Sequence, residues 1–561
     1  MDNYEMEEIR KDIIGNDLVF DTPFGKRHLL YADYTASGRG LKRIEAKITE
    51  IMRSYANTHT EDDYSGKYLT RLLHEAENKI KKLVNAGEKG KIIASGSGAT
   101  GALKKLQEII GVYMPPATKD RIQSYLSSLF PSKQDITGQI EKIKPVVFIG
   151  PYEHHSNELM WREAFSDVCV INLNQDEMLD LKDLENKLTD KKYADRLKIG
   201  SFSAGSNITG IRTQVYDVAR ICHAHGALVF FDFAAVAPYV EINMNKDEES
   251  YFDAIFFSPH KFLGGPGTSG ILIFNENIYR KDLPPTAAGG GTVTYVGSSG
   301  HDFSLDIETR EKAGTPPILQ TIKAAFVLDL KYKIGVDTIE EIETGHAGYF
   351  INELKKIKNV LLLGNVAADK RVPIISFNIK HKDRILHPKF VTRLMNDLFG
   401  LQSRAGCSCA GPYGHVLLEI DDATSERLRQ LVARGYEALK PGWVRMNIHY
   451  TLSQKDVEFI LSVIAFIAEY GHLFLKKYSL KMETGEWIHI DFKEKYHDFS
   501  VDSDFKTERI DLLNLENMRE EWFKEAKAVV VELQRIPELP FYEDITAVEK
   551  LKNFYYYHRV F

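Results

Sequence analysis

The chain has 561 residues, more than one hydrophobic core usually serves, so two or three lobes are expected. Apolar residues make up 43% and charged residues 27%, an ordinary globular composition that excludes a disordered or collagen-like chain. A formal charge of −7 argues against a general nucleic-acid binder and leaves room for a local basic pocket.

The opening MDNYEMEEIRK is acidic and lacks the apolar core of a signal sequence. Four cysteines are too few for a disulfide framework in so long a chain, so a reducing, cytoplasmic setting is expected. From about Tyr31 to Leu330, short apolar runs alternate with helical patterns such as Val215 to His225. The runs KIIAS (91–95), PVVFIG (145–150), VCVINL (168–173), LKIGSFS (197–203), ALVFFD (227–232), FDAIFFS (252–258) and GILIFN (270–275) read as strands buried on both faces. That alternation predicts an α/β lobe with a mostly parallel, seven-stranded sheet covered on both sides. Ligands bind such sheets at the carboxyl ends of the strands, which directs attention to the residues after each run. Residues 111–143 read as an insertion carrying one short helix.

From about Thr338 the pattern changes. A helix over 339–357, the strands NVLLLG and VPIISFNI, a helix over 389–398, a polar loop and later helices predict a smaller α+β lobe. Its most apolar helical stretch, Phe459 to Ala468, reads as too short for a bilayer, which takes about 20 residues. Residues from about 478 read as an appended segment with helices near 514–534 and 545–555. The expected division is therefore a large domain over 31–330, a small domain from 1–30 with 331–477, and an extension over 478–561.

Four motifs carry chemistry. In Ser258-Pro259-His260-Lys261-Phe262-Leu263-Gly264-Gly265-Pro266-Gly267 a lysine follows a strand end beside a glycine-rich turn. Partial desolvation lowers such a lysine's pKa and lets its amine attack an aldehyde, while glycines admit a ring close to the backbone. A plain surface lysine is the competing reading. Asp232 ends the buried strand before it, and a buried carboxylate needs a cation or several hydrogen bonds. A pyridinium nitrogen is one such cation, the partner by which proteins tune pyridoxal phosphate together with a Schiff-base lysine; capping of the next segment is the alternative. Ser95-Gly96-Ser97-Gly98-Ala99-Thr100-Gly101 opens a helix after a strand, where backbone N–H groups and the Ser97 and Thr100 hydroxyls suit a phosphate. Many strand-to-helix turns share that composition. In Glu153-His154-His155-Ser156-Asn157 a histidine after a strand suits stacking on a flat ring and moving protons. Adjacent histidines lack the i,i+4 face of a zinc site and no third ligand follows, so no metal is expected.

Taken in order and spacing, these motifs resemble the class V aminotransferase superfamily of pyridoxal phosphate enzymes, in its cysteine desulfurase and selenocysteine lyase branch. The resemblance spans about Leu30 to Glu469 and includes Tyr31-Ala32-Asp33, Asn57-Thr58-His59, Ser206-Asn207-Ile208-Thr209-Gly210 and Ala313-Gly314-Thr315-Pro316. It implies fold type I, with Lys261 holding the cofactor, His154 stacking on its ring, Asp232 pairing with the ring nitrogen and Asn207 near cofactor and substrate. Phosphate donors would come from Ser97, Gly98 and Ala99, with Ser258 and His260. It further implies that Thr315 reaches the phosphate of a second subunit, hence a homodimer with shared sites. One departure is clear: where the family reads Asp-x-Ala-Gln, this chain has Asp232-Phe233-Ala234-Ala235, and Ala235 has no side chain to bond the ring hydroxyl. Gly98 also stands where the branch commonly has a hydroxyl residue.

Arg404-Ala405-Gly406-Cys407-Ser408-Cys409-Ala410 follows the branch's Arg-x-Gly-x-x-Cys-Ala, which places Cys409 on the nucleophile and Arg404 on the substrate-carboxylate clamp. A thiolate beside an arginine in a glycine-containing loop suits attack on sulfur. Arg445 matches a second arginine of the family pattern. Cys407 reads as accessory because a Cys-x-Cys disulfide is strained, and Cys169 and Cys222 read as buried structural thiols. The leading expectation is an enzyme that removes sulfur from cysteine, or selenium from selenocysteine, to give alanine through a Cys409 persulfide, passing sulfur to an acceptor protein. Two other readings stay open: a class V aminotransferase, epimerase or C–S lyase that leaves Cys409 unused, and a non-catalytic member of the fold.

Overall fold

The computed structural model describes residues 3–58, 60, 62–129, 139, 140, 142–364, 367–494 and 498–537, with the backbone of 554 and 555. His59, part of the expected insertion and most of the expected helix near 545–555 lie outside the described residues. Two compact units form: Ala36–Glu340, and Met1–Thr35 with Glu341–Phe561.

In the first unit each apolar run becomes a strand: β1 (Gly90–Ala94), β2 (Val146–Ile149), β3 (Asp167–Val170), β4 (Lys198–Ser203), β5 (Leu228–Asp232), β6 (Ala254–Phe257) and β7 (Ile271–Asn275). They form one seven-stranded sheet in the order β1-β7-β6-β5-β4-β2-β3. Strands β6, β5, β4, β2 and β3 pair in parallel, and β7 runs antiparallel to both β1 and β6. Runs of Val, Ile and Phe suit strands covered on both faces, since each such side chain removed from water contributes about 1.5–3 kcal/mol. Phe230, Phe256, Leu272 and Trp161 share one core beneath the helices Ala99–Ile109 and His155–Glu163. Strand β3 departs from the expectation of burial on both faces: it is the edge of the sheet, and Val170 is exposed. The expected insertion holds the helix Pro116–Leu129, none of whose residues is buried.

In the second unit the strands Arg404–Gly406, Trp443–Asn447, Ile374–His381 and Arg384–Leu386 line up side by side, and the short strand Leu30–Tyr31 pairs in parallel with Leu401–Gln402. The helix Pro388–Phe399 ends at Gly400, whose φ of +71° and a would-be Cβ 1.9 Å from the His28 carbonyl oxygen leave room for glycine alone. The long helix Gln454–Phe474 starts at a capping box made by Ser453 and Asp456. It corrects the sequence expectation of a short stretch: with the turn that follows it is long and apolar enough to cross a membrane. Val457, Ile460, Val463, Ile464 and Ile467 are nevertheless buried in this unit's own core.

Among the described residues after 478, strands and one long helix pack into the same unit. In the helix Leu515–Arg535, the helical spacing of Trp522, Ala526, Val530 and Leu533 puts them on one face, and all four are buried in that core. Arg27 pairs with Glu525 at 2.8 Å and Arg519 with Asp456 at 2.7 Å, fixing the helix at two points.

Candidate active site

The carboxyl ends of β1, β2, β4, β5 and β6 converge on a cavity of about 250 Å³ lined by Gly98, His154, Asn207, Asp232, Ser258 and Lys261, among others. Sheet topology alone explains the place, because parallel strands leave their carboxyl ends open where the connecting loops diverge. Of the residues singled out in the sequence, the cavity brings together Ser97, Gly98, Ala99, His154, Asn207, Asp232, Ser258, His260 and Lys261.

Lys261 stands on the short 3-10 turn Pro259–Lys261, its N–H donating to the Ser258 carbonyl at 3.0 Å. The turn is tightly braced. Gly38 N–H donates to the His260 carbonyl at 2.8 Å, and a Cβ on Gly38 would lie 1.8 Å from the Phe262 carbonyl oxygen. Asp232 is only 4% exposed, and its carboxylate accepts the Ala234 N–H at 2.8 Å. Burial pushes its pKa up to about 6, a rise opposed by that N–H and by the Lys261 charge. Ala235 lines the same cavity, so the site keeps a methyl group where the family places an amide.

Gly98 caps the helix Ala99–Ile109 in extended conformation. A Cβ there would come within 2.9 Å of His260 Cε1 and 3.0 Å of Ser258 Oγ, so the missing side chain is what opens this corner. Ala99 N–H donates to Ser258 Oγ at 2.8 Å, and His260 Nδ1–H donates to the Ser97 carbonyl at 2.9 Å, which fixes the tautomer. Burial holds the His260 pKa below its ordinary value, so the ring is neutral at pH 7. His154 caps the helix His155–Glu163, with Nδ1 accepting the Ser156 N–H at 3.1 Å.

Two buried carboxylates, one in each unit, carried no assigned role in the sequence. Glu153 is buried next to His154 and accepts bonds from Gly150 N–H, Ser203 N–H, Ser203 Oγ and Asn157 Nδ2, all between 2.6 and 3.0 Å. Burial pushes its pKa up to about 7 against those donors. It therefore ties the ends of β2 and β4 together, and Ser203 is the register partner of Asp232. A carboxylate directly after a buried strand was the available signal.

The second is Asp33, which belongs to the other unit. Arg404 and Arg445 stand opposite each other across their antiparallel strands. Asp33 lies between them, accepting from Arg404 Nε at 3.0 Å and from Arg445 Nη2 at 3.2 Å. The Arg404 side chain is 54% exposed and that of Arg445 4%. On the loop after Arg404, Ser408 and Cys409 have φ of +49° and +58°, a left-handed pair that costs about 1–2 kcal/mol per residue. Cys409 is exposed and Cys407 half-buried, while burial pushes the Cys222 thiol far up. Thr315 does not line the Lys261 cavity. It borders a separate one of about 670 Å³ beside Tyr55, Lys105 and Glu311, and its hydroxyl accepts from Asn57 Nδ2 at 3.1 Å.

Comparison with known proteins agrees with this arrangement. The family described as Aminotransferase class-V matches residues 137–459. A probable cysteine desulfurase from Streptomyces coelicolor is 25% identical over 414 residues, 73% of this chain and 89% of the relative. Another from Halalkalibacterium halodurans is 26% identical over 399 residues, 70% of this chain and 87% of that one. Among solved structures, the apo cysteine desulfurase from Thermococcus onnurineus NA1 aligns with a TM-score of 0.64 at 23% identity, covering 82% of this chain and 98% of its own. The cysteine desulfurase CsdA from Escherichia coli aligns at 0.61 and 17% identity, covering 83% of this chain and 98% of its own, and both likenesses establish the fold. With the family match covering more than half the chain and the strand-end cavity in place, this protein belongs to the class V aminotransferase family.

Proposed function

We propose that the protein is a pyridoxal phosphate-dependent cysteine desulfurase, removing sulfur from cysteine, or selenium from selenocysteine, to leave alanine. The observation that carries the desulfurase reading is Cys409, an exposed thiol on a loop five residues past Arg404, set beside relatives named as probable cysteine desulfurases.

The cavity fits the cofactor on three counts. Asp232 is a buried acid whose ionised form is only partly compensated by the Ala234 N–H and the Lys261 charge, so a cation beside it would be favoured. Gly98 opens a helix N-terminus, the preferred seat of a phosphate, next to Ser97, Ala99, Ser258 and His260. Lys261 projects from a rigid turn into the same space. Bound there, pyridoxal phosphate supplies an aldehyde for amine exchange and a protonated ring that withdraws electrons.

In this reading Lys261 holds the group and then carries the Cα proton as general base and acid. Asp232 would pair with a protonated ring nitrogen, and His154, fixed by its helix cap, would stack on the ring. Asn207 borders cofactor and substrate. Arg404 takes the substrate carboxylate. The Cys409 thiolate forms a bond to the substrate sulfur as the carbon–sulfur bond breaks, and the carbon, protonated by Lys261, leaves as alanine. The exposure of Cys409 supports delivery of that sulfur to an acceptor protein. The position of Thr315 outside its own chain's cavity supports a homodimer in which Thr315 serves the partner subunit's phosphate.

Cys409→Ala tests the reading. It is expected to retain the cofactor and bind cysteine but to lose alanine formation by at least about a thousandfold, the scale on which loss of a nucleophile acts. Mass spectrometry of the wild type after turnover should find a persulfide on the Cys409 peptide. Unchanged alanine formation in Cys409→Ala overturns the desulfurase and leaves a class V enzyme of other chemistry.

A further inference from the structure

A cavity of about 710 Å³ opens within the second unit, walled by stretches that lie far apart in sequence. Alternation along the strand Leu18–Thr22 buries Val19 and leaves Leu18 and Phe20, both half-buried, to line the cavity with Leu29. Helical spacing brings Lys389, Thr392, Arg393 and Asn396 to one face of Pro388–Phe399, opposite the buried Phe390, Leu394 and Leu398. Residues 402–405 form a third wall. The fourth is the hairpin of Tyr478–Lys481 and Glu486–His489, which supplies Thr484, Gly485, Glu486 and Trp487. The extension after 478 is thus part of a chamber.

The charges on these walls do not balance. Arg393 is answered by Asp397 at 2.8 Å and Glu494 at 2.6 Å, Arg404 by Asp33 at 3.0 Å, and Glu486 by Lys481 at 3.3 Å. Lys389 forms no ion pair among the described residues. Its ammonium donates to the Thr484 carbonyl at 2.8 Å and has N–H groups to spare. Burial holds its pKa below the ordinary value, against the pull of Glu437, Cys407 and Glu486 and with the help of Lys440. Donors are in surplus around it. Ser403 Oγ, Thr392 Oγ1 and Trp487 Nε1 are buried with no hydrogen-bond partner among the described residues. Ser403 is 8% exposed and Trp487 3%. A buried polar atom left unbonded costs about 1–3 kcal/mol, and an ammonium or an indole N–H can only donate. The donor set therefore suits a negatively charged acceptor, and the Leu18, Phe20, Leu29 and Trp487 side chains suit an apolar body.

We infer that this chamber is a second ligand site, for a small carboxylic acid with an aromatic body: Lys389 meets the carboxylate, and Phe20 and Trp487 hold the ring. Cavities of about 300–1,000 Å³ take ligands of that kind. The site shares no lining residue with the cofactor cavity. Arg404 borders it but is already bonded to Asp33, so the ligand charge falls to Lys389.

Titration calorimetry on the full-length holoenzyme tests this with 2-naphthoate and its uncharged counterpart 2-naphthamide. Wild type should bind one 2-naphthoate per chain, at least about tenfold more tightly than 2-naphthamide. In Lys389→Met the affinity for 2-naphthoate should fall about ten- to a hundredfold, the range of a charged hydrogen bond, while that for 2-naphthamide stays within about threefold. Saturating L-alanine should leave 2-naphthoate bound. Absence of binding overturns the inference, as do equal wild-type affinities for acid and amide, a comparison that needs no variant. Unchanged 2-naphthoate affinity in Lys389→Met places the acid elsewhere and overturns it as well. Displacement by L-alanine makes the chamber part of the amino-acid site through Arg404, which also overturns it. If Lys389→Met does not fold, Lys389→Gln decides by the same comparison.

Discussion

Asp232 is buried at the end of β5 with one backbone N–H on its carboxylate, and its ionisation is therefore costly until a cation is present. The rise of its pKa from 3.8 to about 6 corresponds to about 3 kcal/mol. Because the folded-state pKa is the higher one, the native apoprotein keeps a proton that the unfolded chain has already released between pH 3.8 and about 6. Stability from this group is complete below pH 3.8, declines as pH rises through that window, and is lost above about 6. Asp232→Asn cannot ionise. Relative to wild type, the apo variant should thus gain stability with rising pH and level off at about 3 kcal/mol above pH 6, less whatever the new amide N–H loses for want of an acceptor. Hydrogen exchange at the Phe230, Phe231 and Asp232 amides of the apoproteins at pH 4 and pH 8 reads this directly, because β5 is central in the sheet. Cofactor affinity should move the opposite way and fall, since the amide gives the ring nitrogen no charge to pair with. A stability difference that does not change between pH 4 and pH 8 refutes the argument, for it means Asp232 titrates as if solvated.

Lys261→Ala should remove the covalent attachment of the cofactor: borohydride reduction followed by peptide mapping should label the Lys261 peptide in wild type and no lysine in the variant. Gly98→Ala should fold normally, since φ there is extended, yet lose at least about tenfold in cofactor affinity because the added methyl crowds His260 and Ser258 in the phosphate corner. A fluorescence titration of the apoprotein with pyridoxal phosphate measures it, and wild-type affinity would place the phosphate elsewhere.

The large sheet was legible because a strand covered on both faces needs a run of apolar residues and little else. All seven runs became strands, six within two residues of their expected ends and VCVINL stopping three residues short, at Val170. Edge position was not legible in the same way. VCVINL has the composition of a central strand, yet β3 lies at the margin, where its neighbour on one side is water. Strand order is set by long-range pairing, which a local pattern does not encode. The same limit explains the long helix over 454–474. Its apolar centre is conspicuous, but Ser453, Gln454 and Glu458 mask its beginning, which only the capping box fixes. The region after 478 reads as charged and aromatic, and its membership of the core follows from one helical face whose partners, Phe399, Phe459 and Phe466, lie well upstream.

At the site, legibility divides by how far apart the interacting residues are. Lys261, Asp232, His154 and the Gly98 turn each follow a recognisable strand, and strand ends in such a sheet converge by topology, so their meeting in one cavity follows from local pattern plus fold class. Glu153 was visible as a residue but not as a partner, since its bonds go to Ser203 and Asn157 on different elements. Asp33 is the extreme case. It stands 371 residues from Arg404 and 412 from Arg445, and nothing around Tyr31-Ala32-Asp33 states that a two-residue strand will pair with Leu401–Gln402. Only after that pairing does a third charge become necessary, because two arginines placed opposite each other, one of them buried, have no other carboxylate on their strands. A residue of this kind is dictated by the electrostatics of the assembled sheet. It is found by asking what neutralises each buried charge once the sheet is assembled.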